Sequence, residues 1–306
     1  MFPQIRHILE MIRFSHTVFA LPFALLSALM AWTTPSEPPI RFRWQDLLGI
    51  VACMVFARSA AMAFNRLADR KIDAGNPRTA TRHLPAGIVS PGRAILFTVV
   101  MSGCFVASTL LFFPNTLPLY LSLPVLVFIF AYSLTKRFTS LAHFWLGASL
   151  FLAPVSAWIA IRGNILLRTP LDALPAIWLG AAVLLWVSGF DIIYACQDVD
   201  FDRQARLKSV PAIVGVPRAL TISAICHLLM IPILFTLPIV NRLGGPPLAL
   251  GWVYVTGVLF VAVLLVYEHW LVRPDDLTRV QVAFLNINAI VSVGLFLIVA
   301  FDLLVV

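Results

Sequence analysis

An all-α integral membrane protein is the fold class that the sequence predicts, and three observations predict it. Apolar residues fill 60% of the 306 positions and charged residues only 12%, with a mean hydropathy of +0.94. A soluble domain of that composition lacks the polar surface to cover its core. The apolar residues also fall in runs of about 20, the length a helix needs to cross roughly 30 Å of hydrocarbon. Finally, the charged residues collect between the runs, and the basic ones favour every second connection.

About nine transmembrane helices are expected. The arm FPQIRHILEMIRF places Ile5, Ile8, Leu9 and Ile12 at helical spacing, so residues 1–15 are read as a helix lying in the membrane interface. The first run, 17–32, follows it without a small-x-small cleavage site and is read as a retained helix. The second, 47–64, ends on an acidic segment, and the third, 94–113, starts after SPGR. Only PNTLP separates the third run from the fourth, 117–134. The fifth, 141–161, follows the basic stretch TKRFTS, and the sixth, 173–195, ends on a second acidic segment. The seventh, 219–240, the eighth, 247–270, and the ninth, 280–306, complete a single membrane domain over 1–306.

The net charge of +8 raises the possibility of a nucleic-acid partner, but its distribution points to topology. Sixteen Lys and Arg residues lie in the N-terminal arm and the even-to-odd connections, five lie in the other connections, and Arg58 lies within the second run. That asymmetry puts the N-terminus and both acidic segments in the cytoplasm and the C-terminus outside. A lipid bilayer is the expected partner and nucleic acid is not. Cys53, Cys104, Cys196 and Cys226 form no CxxC pair and read as small buried hydrophobes.

Six of the 14 acidic residues fall in two places. NRLADRKID carries Asn65, Asp69 and Asp73 at i, i+4 and i+8, and YACQDVDFD carries Tyr194, Asp198 and Asp202 at the same intervals. On a helix, positions four apart lie one above another, so each segment presents a stripe of oxygen ligands. The echo extends to LPAGIVSPGRAI and VPAIVGVPRALTI, which suggests an internal repeat of about four spans that turns the stripes toward each other across a central cavity. One D-x-x-x-D pair alone is an ordinary solvated helix end; two matched pairs at one membrane face are not. Facing carboxylates repel, so a divalent cation is their natural partner, and magnesium favours a few carboxylates plus phosphate oxygens. The cations nearby, among them Arg66, Arg70, Arg78, Arg82, Lys136 and Arg137, suit a diphosphate shared between metal and side chains.

With these residues in view, the chain resembles the UbiA family of intramembrane prenyltransferases. RSAAMAFNRLADRKID, RTATRHLPAG, YSLTKRFTSLAHFWLG and DIIYACQDVDFDRQARLKSVPAIVG carry the resemblance, which covers nearly the whole chain. RTATRHLPAG, TKRFTSLAHFWLG and the opening IRFSHTVFALPFALL are most similar to 4-hydroxybenzoate polyprenyltransferases and their relatives in menaquinone synthesis. The chain departs from the family at Arg66, where an Asp is usual, and at Arg206, where Gly is frequent.

The resemblance implies Mg²⁺-dependent transfer of a polyprenyl chain from polyprenyl diphosphate to an aromatic acid. It implies metal ligation by Asn65, Asp69, Asp73, Asp198 and Asp202. Arg58, Arg66, Arg70, Lys136 and Arg137 are candidates to hold the diphosphate, and Phe64, Tyr132 and Tyr194 to shield an allylic cation. Asp191, inside the sixth run, is expected to orient the acceptor or take its proton, and His16, with Arg13, to meet the acceptor's polar group or merely to sit at the interface. The expected acceptor is 4-hydroxybenzoate, in ubiquinone biosynthesis at a bacterial inner membrane; 1,4-dihydroxy-6-naphthoate, in menaquinone biosynthesis, is the alternative. A secondary transporter is the alternative of another class, and it predicts acids deep in several spans.

Overall fold

Long apolar runs become long helices because, in lipid, each backbone polar group must be satisfied within its own segment. The computed structural model describes residues 20–305, and every named element there is helical. The principal helices are α1 (Leu21–Thr33), α2 (Trp44–Ala68), α3 (Pro91–Ser108), α4 (Leu117–Thr135), α5 (Ala142–Leu166), α6 (Leu174–Ala195), α7 (Val216–Thr236), α8 (Trp252–Leu271) and α9 (Asn288–Val305). Eight described helices, α2 to α9 with their short extensions, are long and apolar enough to cross a membrane; α1 adds 13 apolar residues. The interfacial arm 1–15, Arg13, His16 and the start of the run 17–32 lie outside the described residues.

Proline sets many of the boundaries. It occupies the first turn of α1, α3, α4, α6 and α7, where its missing N–H costs nothing. Ser90 adds a side-chain cap by accepting from the Arg93 N–H. Several expected span boundaries shift. Helix α2 continues past 64 to Ala68, and the eighth span starts only at Trp252, because Gly244, Gly245, Pro246 and Pro247 hold the preceding chain out of a helix. A π-helical turn, Ala283–Ile287, precedes α9.

The two acidic segments hold equivalent places. Helix α2 passes into the short helix Arg70–Gly75 and then a loop before α3; α6 passes through a 3-10 turn into Val199–Gln204 before α7. Helix α6 is the most buried of the spans, with 67% of its apolar window inside the protein, and it forms the axis against which α5 and α7 pack. A Cβ on Gly147 would strike the Leu184 carbonyl, so glycine is what lets α5 approach α6. On the opposite faces, Leu96, Val99, Val127, Leu228, Val263 and Val266 are exposed, as lipid-facing positions are.

At the end of the bundle away from the acidic segments, Arg162 is 2% exposed and fully committed. It meets Asp172 at 2.7 and 2.9 Å and donates to the carbonyls of Ala31 and Thr34, while the Trp158 indole donates to the same carboxylate at 3.0 Å. This clamp ties the end of α1 to α5 and the start of α6. All four cysteines are free, with Cys196 and Cys226 buried.

Candidate active site

Helical backbone does not run smoothly through either acidic segment. Asp69 is the hinge residue between α2 and the short helix Arg70–Gly75, with φ −89° and ψ 3°, although its N–H still donates to Asn65 at 2.9 Å. In the second segment, the 3-10 turn Cys196–Asp198 sits between Tyr194 and Asp202. Each predicted stripe is therefore bent, and its acids are splayed toward basic groups rather than stacked in one line.

Each end of the cluster is held by opposite charge. Asp69 accepts from Lys136 at 2.9 Å and from Arg137 at 3.2 Å, and Asn65 donates to it at 3.2 Å. Asp73 accepts from Arg82 at 2.7 Å. Asp198 receives both Nε, at 2.8 Å, and a terminal nitrogen of Arg78, and Asn76 donates to it at 3.0 Å. The third arm of Arg78 donates to the Tyr194 hydroxyl at 2.8 Å. Burial opposes the charge on Arg78, but the hydrogen bonds with Asp198 and the pull of Tyr194 outweigh it and hold the guanidinium above its ordinary pKa. Asp73 of the first segment is thus joined to Asp198 of the second through the 76–82 loop. The Lys136 carbonyl accepts from the Lys208 N–H at 2.7 Å, which ties the α4–α5 turn to the second segment as well.

The predicted metal ligands share this end, but among the described residues no three His, Cys, Asp or Glu side chains converge on one point. Like charges repel, and the nearest cations neutralise each carboxylate separately. The donor set still fits a hard cation. It consists of oxygens only, and Asp73 Oδ2 is buried with no hydrogen-bond partner, an acceptor left unpaired in a residue 4% exposed.

Below the acids lies an elongated cavity of about 210 Å³, walled by α1 to α5. Its lining runs along α2 from Asn65 through Ala61 and Arg58 to Ile50, about 22 Å at 1.5 Å per residue. The wall is almost wholly apolar, with Tyr132 and Asn65 at the acidic end and Arg58 as its one charged group. Arg58 therefore does not join the other cations. It lies seven residues before Asn65, roughly 10 Å deeper, and its Nε is buried without a partner.

Asp191 is held by a residue that the sequence did not single out. His143 Nδ1 lies 2.7 Å from Asp191 Oδ2, and the Val210 N–H donates to His143 Nε2 at 3.3 Å. An Nε2 that accepts must be bare, so Nδ1 carries the proton and donates to Asp191. Tyr132 lies within the electrostatic reach of Asp191, Asp69 and Arg66, which sets the dyad beside the acidic end of the cavity.

The other predicted residues sort by position. Arg66 is buried in the last turn of α2, and Asp202 is buried beside Ser209, which bonds to it. Arg70 is half-buried and makes no ion pair among the described residues. Asn76 and His143 emerge only with the fold. Their signals in the sequence are Asn76's place next to the acidic motif and His143's place within TKRFTSLAHFWLG.

Residues 20–290 match the model of the UbiA prenyltransferase family. The chain belongs to that family. Its relatives include the 4-hydroxybenzoate octaprenyltransferase of Aliivibrio fischeri strain MJ11, 33% identical over 80% of this chain and 79% of that one. The enzyme of the same name from Aliivibrio salmonicida is 34% identical over 84% and 83%. Among solved structures, a UbiA homolog from Aeropyrum pernix superposes with a TM-score of 0.79 at 32% identity, covering 95% of this chain and 98% of that one. A UbiA homolog from Archaeoglobus fulgidus bound to DMAPP and Mg²⁺ shares the fold at a TM-score of 0.64 and 16% identity, covering 98% and 99%. This UbiA chain is thus a multi-pass membrane prenyltransferase, with its polar groups gathered at one end of an apolar cavity.

Proposed function

We propose that the protein transfers a polyprenyl group from polyprenyl diphosphate to an aromatic acid, with 4-hydroxybenzoate as the acceptor, in ubiquinone biosynthesis. The observation that carries this reading is the junction of a cation-rich acidic cluster with an apolar cavity that holds one unpartnered arginine. The relatives named 4-hydroxybenzoate octaprenyltransferase support the acceptor, and the A. fulgidus homolog bound to DMAPP and Mg²⁺ supports the donor and the metal. Family membership favours this over a transporter. The whole chain acts as one membrane domain, in a bacterial inner membrane, with the acidic cluster on the cytoplasmic side where the basic residues are concentrated.

Asn65, Asp69, Asp73, Asp198 and Asp202 would hold Mg²⁺, which supplies charge neutralisation for the diphosphate leaving group. Arg78, Arg82, Lys136 and Arg137 turn from the carboxylates to the diphosphate oxygens once the acids are engaged, and Arg66 and Arg70 stand beside them. As the C–O bond breaks, its electron pair goes to the diphosphate, and the allylic cation that remains faces Tyr132, Tyr194 and Phe64 out of water. Arg58 pairs with the carboxylate of the acceptor deep in the cavity, which points the electron-rich end of the ring at the cation. A new C–C bond forms at the ring, and the displaced ring proton passes to Asp191, whose other oxygen His143 fixes.

The test is incubation of the purified protein with geranyl diphosphate, Mg²⁺ and each of 4-hydroxybenzoate and 1,4-dihydroxy-6-naphthoate, followed by mass spectrometry. Prenylated 4-hydroxybenzoate is expected. A product from the naphthoate alone would move the enzyme to menaquinone biosynthesis, and no product from either acid would overturn the reading.

A further inference from the structure

A set of fully buried polar side chains lies in the half of the bundle that takes no part in the cavity. Glu268 and Asn288 are 0% exposed and His227 is 2% exposed. Asn288 donates to Glu268 at 3.0 Å and accepts from the Trp186 indole at 2.7 Å. His227 reaches the Trp186 carbonyl at 3.1 Å and His269 at 3.0 Å. Polar groups in a membrane interior are costly to bury even when paired, so their concentration on one tryptophan has a structural purpose to identify.

Trp186 is the foot of a column of rings. Trp186, Phe190 and Tyr194 are spaced four apart on α6 and face one way. Trp186 meets Phe190 edge-on at 4.9 Å between centroids, Phe190 meets Phe284 at 5.5 Å, and Phe284 meets Tyr194 at 4.4 Å. The Arg78 guanidinium lies over the Tyr194 ring at 5.1 Å and bonds to its hydroxyl. Phe284 belongs to the π-helical turn Ala283–Ile287, and Asn288, the next residue, donates back to the carbonyls of Ala283 and Phe284 at 3.2 and 3.3 Å. The same amide therefore fixes Trp186 at the foot of the column and the turn that inserts Phe284 near its head. π-turns of this kind recur at functional sites because they re-aim one side chain.

We propose that Asn288 and Phe284 are positioning residues for the diphosphate end of the site. Through the column they set the rotamer of Tyr194, and Tyr194 sets Arg78 against Asp198. Neither residue touches the reacting atoms. The inference rests on the proposed binding of a diphosphate at Arg78 and Asp198.

The test is a double-mutant cycle between Phe284→Leu and Arg78→Gln in the full chain in detergent. It is read by calorimetric binding of geranyl diphosphate with Mg²⁺ and by the KM for the aromatic acid. Phe284→Leu is expected to weaken geranyl diphosphate binding about 3- to 10-fold, the factor that loss of one aromatic pair carries. The KM for the acid should stay within about 2-fold, since the acceptor end is separate, and Phe284→Tyr should restore binding. In the Arg78→Gln background, Phe284→Leu should have no further effect. Additive effects of the two changes, or unchanged binding by a Phe284→Leu protein that melts like wild type, would overturn the proposal. Asn288→Leu supplies a second probe, and Phe284→Leu decides if that variant does not fold. Failure of wild type to bind geranyl diphosphate would instead overturn the function on which the inference rests.

Discussion

Replacing Arg58 with leucine separates the two ends of the site. The side chain lines an apolar cavity with its Nε buried and unpartnered, about 10 Å below the cluster that would hold the diphosphate. A hydrogen bond to a charged group is worth about 1.5–3 kcal/mol, or about 10- to 150-fold in a binding constant at 1.4 kcal/mol per decade. Arg58→Leu should therefore raise the KM for 4-hydroxybenzoate by that factor and leave the KM for geranyl diphosphate within about 2-fold. The substrate side can be varied too. 4-Hydroxybenzamide has the same ring without the carboxylate charge, so wild type should discriminate against it and Arg58→Leu should treat both compounds alike. Because the change removes a buried, incompletely paired charge, the variant should melt no lower than wild type. Steady-state kinetics with both substrates varied, and a thermal melt, supply all the readouts. A rise in the KM for geranyl diphosphate with the acid unaffected would refute the placement of the acceptor and return Arg58 to the diphosphate.

Three further outcomes follow from the same geometry. Asp191→Asn should lower kcat by about 10²- to 10⁴-fold, the range of a lost general base, with both substrates still bound in calorimetry; His143→Phe should lower it less, since Asp191 keeps its own charge. Arg162→Leu leaves Asp172 buried without its partner, so it should destabilise the protein by about 3–5 kcal/mol, read as a lower melting temperature, and a melt equal to wild type would contradict the clamp. Ala61→Phe places a ring in the cavity wall between Asn65 and Arg58, so acid-dependent turnover should fall while binding of inorganic diphosphate with Mg²⁺ persists, which calorimetry and product mass spectrometry would show.

Much of the architecture was legible in the residues because hydrocarbon permits few alternatives. Runs of apolar residues mark helices, and the spacing of Asn65, Asp69 and Asp73 marks the candidate site. The shifts have local causes: the Gly–Pro-rich stretch before Trp252 delays α8, and Asp69 breaks the helix that its own stripe seemed to continue. The ion pairs were less legible. Arg78 and Arg82 stood out as nearby charges, but only the fold of the 76–90 loop assigns them to Asp198 and Asp73. Arg58 was grouped with the diphosphate cations on charge alone, whereas seven residues of helix put it in a different part of the cavity. The His143–Asp191 pair and the place of Phe284 between Phe190 and Tyr194 were not legible, because each joins residues of different elements.

The most direct measurement follows both products of one reaction, with purified protein, geranyl diphosphate, Mg²⁺ and 4-hydroxybenzoate. Inorganic diphosphate and C-prenylated 4-hydroxybenzoate should appear in equal amounts, and both should fall at least about 100-fold in Asp69→Ala and Asp198→Ala. Diphosphate released without any prenylated ring, or wild-type activity in both variants, would contradict prenyl transfer at this site.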